Sequence, residues 1–95
     1  MDKANANVFF GKNVKFENSK VLPNSNLYRD CRVLDSNLGS NCVVGDFSRV
    51  INSKHGDYVR IDRSCLIYHS ELGDYTYTGA TNVIMHTKIG KFSSI

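Results

Sequence analysis

The chain of 95 residues has no apolar run approaching the ~20 residues a bilayer-spanning helix needs. Its start, MDKANAN, is polar and has none of the features of a signal peptide. The two absences make the cytoplasm the expected compartment. Surplus charge is also scarce. A net value of +3 with an ordinary charged fraction does not indicate nucleic acid as a partner. Proline occurs once and cysteine three times, and the length suits one domain.

What is present is a repeat. The phrase Leu72-Gly73-Asp74-Tyr75-Thr76 returns as Ile89-Gly90-Lys91-Phe92-Ser93, 17 residues later, and Ile67-Tyr68-His69-Ser70-Glu71 returns as Ile84-Met85-His86-Thr87-Lys88. A fixed period near 20 residues decides the architecture before any local propensity does. Steps of 17 define three series: Val21, Leu38, His55, Leu72, Ile89; Phe16, Val33, Val50, Ile67, Ile84; and Phe10, Leu27, Val44, Ile61, Thr78, Ile95. All but His55 and Thr78 are aliphatic or phenylalanine.

The glycines share this phase. All seven directly follow a residue of the first or third series, which predicts corners with positive φ at glycine. Small residues make further columns: Val14, Cys31, Ser48, Cys65, Asn82; Ser25, Cys42, Val59, Thr76, Ser93; and Ser19, Ser36, Ser53, Ser70, Thr87. The pattern predicts an all-β solenoid of about five coils, three short strands per coil, with the anchors inside. A meandering antiparallel sandwich would show alternation without a fixed period. Residues 10–95 form the solenoid domain in this reading, and residues 1–9 a tail or a cap over the first coil.

The same register places the other residue types. Cys31 and Cys65 fall two coils apart, roughly 9.6 Å at the usual strand spacing and too far for a disulfide, while Cys42 belongs to another face. All three read as reduced core residues. Pro23 falls at a corner, where a missing N–H does little harm. Lys15, Arg32 and Arg49 share one column, and Lys12, Arg29 and Arg63 a neighbouring one interrupted by Asp46. They read as a solvated edge balanced by Asp30, Asp46 and Asp62, or as a site for an anionic partner. Two outward apolar columns, Leu34, Ile51, Tyr68, Met85 and Tyr58, Tyr75, Phe92, mark contact surfaces.

The segment aliphatic-Gly-x-x-small-x, from Phe10 to Ile95, resembles the hexapeptide repeat of the left-handed parallel β-helix acyltransferases, among them the sugar and polysaccharide O-acetyltransferases. The 17-residue coil departs from that family's 18. The resemblance implies a left-handed winding, a homotrimer with its site between subunits, acetyl-CoA as co-substrate and a sugar or nucleotide-sugar acceptor. In resembling enzymes the phrase IGKFSSI runs on into further coils, so this chain looks like an N-terminal part. No metal is expected: a zinc site needs three converging histidines, and His55 lies on a different face from the other two.

His69 and His86 share one column, and their segments resemble those that carry the general base of sugar-nucleotide acyltransferases. His86 is the first candidate for that base and His69 the second, with Asp35 or Glu71 near enough to orient the ring. Imidazole suits the task because its pKa lies near working pH. Lys88 is the candidate for meeting a cofactor phosphate. His55, at an anchor position, reads as structural. The alternative function is a non-catalytic scaffold or oligomerisation module that lacks a complete active site.

Overall fold

A computed structural model describes residues 8–95 and contains strands only. The first coil carries β1 (Phe9–Phe10), β2 (Lys15–Glu17) and β3 (Lys20–Val21). The second has β4 (Asn26–Leu27), β5 (Arg32–Leu34) and β6 (Asn37–Leu38), and the third β7 (Val43–Val44), β8 (Arg49–Ile51) and β9 (Lys54–His55). The fourth adds β10 (Arg60–Ile61), β11 (Leu66–Tyr68) and β12 (Glu71–Leu72), the fifth β13 (Tyr77–Thr78), β14 (Val83–Met85) and β15 (Lys88–Ile89). Residues 1–7 of the expected tail or cap lie outside the described residues.

Every third strand pairs in parallel, giving three five-stranded sheets in the order β1-β4-β7-β10-β13, β2-β5-β8-β11-β14 and β3-β6-β9-β12-β15. The register is the 17-residue step without exception, as in Val50↔Ile67 and Ile67↔Ile84. The chain is therefore a parallel β-solenoid of about five coils. Its anchors fill the axis: Val33, Val50, Ile67, Leu27, Val44 and Ile61 have no exposed surface. The two exceptions in the series also point inward, since Thr78 is fully buried and His55 is 3% exposed. The cysteines are unpaired and buried, and burial pushes the Cys31 thiol up to about 12 and the Cys42 thiol up to about 11.

The corners are built differently from the glycine expectation. No described glycine has positive φ; fifteen other residues do, three to a coil. They form the columns Asn13, Asp30, Phe47, Ser64, Thr81; Asn18, Asp35, Asn52, His69, His86; and Asn24, Asn41, Tyr58, Tyr75, Phe92. Asn, Asp and His tolerate this conformation better than most side chains. From the second coil on, each bend also keeps its backbone N–H paired with the coil below: Asp35 N–H donates to Glu17 O at 3.1 Å, and Tyr75 N–H to Asp57 O at 3.0 Å. Gly11, Gly39, Gly45, Gly56 and Gly73 serve close approach instead. A Cβ on Gly45 would stand 2.7 Å from the Asp62 carbonyl carbon, and one on Gly73 2.7 Å from Lys91 N.

Small inward residues satisfy what the corners leave over. Ser36 Oγ accepts from Ser53 N–H at 3.0 Å and donates to Leu34 O at 2.8 Å. Ser53 Oγ does the same for Ser70 N–H and Ile51 O, and Ser70 Oγ for Thr87 N–H and Tyr68 O. A hydroxyl ladder thus runs along the corner between the second and third sheets, each serine bridging two coils.

Candidate functional site

That corner carries His69 and His86. Each follows the last residue of its strand, β11 or β14, and bends the chain with φ of 50° and 52°. The backbone N–H of His69 donates to Ile51 O, and that of His86 to Tyr68 O, both at 3.0 Å. The imidazoles therefore project from a corner fixed by the coil below. They stack on one another with ring centroids 5.2 Å apart and 24° between planes. The Tyr68 ring meets both edge-on, at 4.2 Å from His69 and 5.7 Å from His86.

The orienting group is not a carboxylate. Asn52 Nδ2 lies 3.0 Å from His69 Nδ1, while Asp35 is bonded to Asn18 Nδ2 at 2.6 Å. No hydrogen bond joins Glu71 to either imidazole among the described residues. The reason is the register: Asn52, one coil below His69, occupies the same corner, whereas Asp35 is two coils away and Glu71 lies one strand further on. Asn52 was legible as part of the column Asn18, Asp35, Asn52; Tyr68, assigned to the apolar stripe, gave no signal of its contact with the histidines.

His86, His69, Glu71, Thr87 and Lys88 line one shallow depression of about 350 Å³. A second, of about 240 Å³, runs toward the first coil past His69, Asn52, Lys54 and Asp35. His69, His86 and Lys88 are all exposed, so the sequence candidates converge on one accessible surface. His55 does not join them. It is buried in the third sheet with neither ring nitrogen hydrogen-bonded, and burial pushes its pKa down to about 3. Among the described residues no group of three or more His, Cys, Asp or Glu lies close enough to hold a metal ion.

The columns outside this corner are equally regular. Tyr58, Tyr75 and Phe92 stack with centroids 4.9 and 5.2 Å apart and planes within 5°. Among the described residues the expected balancing of the cations by Asp30, Asp46 and Asp62 is confined to Arg29 and Asp30, at 3.3 Å. Asp62 instead caps the backbone N–H of Arg63 at 2.8 Å.

No known family model matches the chain. No curated protein matches it either. Among solved structures it is similar to the N-terminal domain of CcmM, crystallised in complex with CcmN. The TM-score is 0.57 at 17% identity, covering 92% of this chain and 88% of that one. The likeness is one of fold. The acetyltransferase domain of PglB from Neisseria gonorrhoeae FA1090 aligns at a TM-score of 0.46 and 13% identity, over 97% of this chain and 47% of that one. No helix among the described residues is long and apolar enough to cross a membrane.

Proposed function

We propose that this β-solenoid belongs to an acetyltransferase that moves an acetyl group from acetyl-CoA to a hydroxyl or amine of a sugar or polysaccharide precursor in the cytoplasm. The observation that carries the reading is the meeting of His86, His69 and Lys88 around one open depression. His86 takes the proton of the acceptor hydroxyl as its oxygen bonds to the thioester carbonyl carbon. Collapse of the tetrahedral species then breaks the C–S bond, and the imidazolium returns the proton to the thiolate that leaves. Lys88 meets a phosphate of the co-substrate.

His86 suits the task better than His69. The Asn52 amide nitrogen lies 3.0 Å from Nδ1 and 3.4 Å from Nε2 of His69, so both nitrogens of that ring already have a polar neighbour. Among the described residues His86 has only ring contacts, to His69 and Tyr68, which leaves a ring nitrogen open as acceptor. A homotrimer belongs to the same proposal, with the most exposed apolar residues beside His86, Val83 and Met85, in the subunit contact. So does the left-handed winding, which comes from the resemblance of the repeat. His86→Ala should lower acetyl transfer by about 10²–10⁴-fold with folding unchanged. Activity within about threefold of the parent, on the same scale of effects, would remove His86 as the base.

A second reading is a non-catalytic scaffold. It is favoured by the histidines' place in a column of Asn and Asp that all perform the same backbone bend, and by the absence of an orienting carboxylate. The CcmM domain, solved with a protein partner, is a fold precedent for such a role. A chain with intact fold and no acetyl transfer from acetyl-CoA would decide for it.

A further inference from the structure

The outer face of the second sheet changes character along the solenoid axis. Its first outward column reads Lys15, Arg32, Arg49, Leu66, Val83, in register from coil to coil. Its second reads Glu17, Leu34, Ile51, Tyr68, Met85. Three like charges therefore stand one strand spacing apart, beside a strip of aliphatic and aromatic side chains. Among the described residues Lys15, Arg32 and Arg49 make no ion pair and no side-chain hydrogen bond.

The third sheet shows the ordinary solution to the same problem. There the register sets Glu71 between Lys54 and Lys88. Like charges directly opposite in a ladder are destabilising, and opposite charges are stabilising. The cation column of the second sheet thus stands against the pattern of its neighbour. An anionic partner laid along it would relieve that repulsion.

From this contrast we infer that the outer face of coils one to three is a docking surface for an acidic amphipathic helix of another protein. The helix lies along the solenoid axis. Strands stack about 4.8 Å apart, and in a helix residues three and four apart rise about 4.5 and 6 Å, so carboxylates at i, i+3 and i+7 match three cations in succession. An extended strand, with same-side residues about 6.6–6.8 Å apart, does not keep step. Apolar residues beside those acids cover Leu34 and Ile51, which a hydrated polyanion would leave bare. A second copy of this chain fits poorly, because its outward columns hold no run of three acids.

The test uses a fluorescein-labelled helical peptide of about 14 residues with Glu at i, i+3 and i+7 and Leu one position after each. Anisotropy should show saturable binding that weakens with salt. Arg32→Glu combined with Arg49→Glu should weaken it at least about tenfold, and Arg32→Gln with Arg49→Gln by less, as cross-interface charge reversal predicts. Lys54→Glu on the third sheet should leave it unchanged, and melting curves check that each variant is folded. Equal binding of a scrambled peptide, or no response to either arginine pair, overturns the inference. So does binding of phosphatidylserine vesicles in place of the peptide, or an arginine effect confined to oligomeric state, which would make the occupant a lipid surface or a second copy.

Discussion

At the scale of single residues, the chain divides sharply between positions that bend and positions that must be bare. The bends fall on Asn, Asp, His and even Tyr and Phe, while five of the glycines stand where the next coil passes too close for a Cβ. Gly45→Ala should therefore cost about 1–3 kcal/mol through overpacking, whereas Gly90→Ala, whose Cβ meets nothing within 4 Å, should cost under about 0.5 kcal/mol. Urea denaturation of the two variants checks the pair. His55 is a second residue-scale case. Its ring is neutral in the folded core, with a pKa near 3 against an ordinary 6.5, so the unfolded chain takes up a proton first as pH falls. Stability is complete above about pH 6.5 and declines below it by about 1.4 kcal/mol per pH unit, or about 2 kcal/mol by pH 5. His55→Leu, placed between Leu38 and Leu72, should remove that share of the decline and raise stability at neutral pH, as acid and urea titrations would show.

At the scale of elements, strands of two or three residues hold together only because each column repeats a compatible side chain. The aromatic column is the clearest instance. Tyr75 is sandwiched between Tyr58 and Phe92, in a conformation that a β-branched residue resists. Losing both stacks at about 0.5–1.5 kcal/mol each puts Tyr75→Val at about 2 kcal/mol or more. Tyr75→Asn restores a side chain suited to the bend and should fall between Val and the parent. Thermal melts that rank Asn below Val would show that apolar cover between the two rings, and not backbone conformation, dominates the corner. The same logic places His69 and His86, which stack on one another and share their bend with Asn52 below.

At the scale of the whole molecule, the three sheets wrap a thin core and leave three long outer faces, in a body of 30 × 20 × 18 Å. Such a rod has much surface for its volume. The apolar end of the second sheet, with Val83 65% and Met85 46% exposed, adjoins His86. If subunits meet there, light scattering should report a trimer, and Val83→Lys with Met85→Lys should reduce it to a monomer. An unchanged trimer would move the contact to another face; a monomeric parent would remove the subunit-bridging site from the proposed mechanism.

The 17-residue period by itself determined the solenoid, its three strands per coil, the inward series and the columns that share a corner. It could do so because parallel coils stack in register, so sequence spacing becomes vertical distance. It also brought His69, His86 and Lys88 to neighbouring columns. Only the tertiary structure decided how each column is used. Glycine phase alone does not distinguish positive φ from close approach, since both exclude a side chain in different ways; the distance to the next coil separates them. Likewise, the sequence offered Asp35 and Glu71 as partners of the imidazoles, but the coil stacking put an amide there instead. Hydrogen bonds need direction as well as proximity, and direction is set by the bend of Asn52 beneath His69.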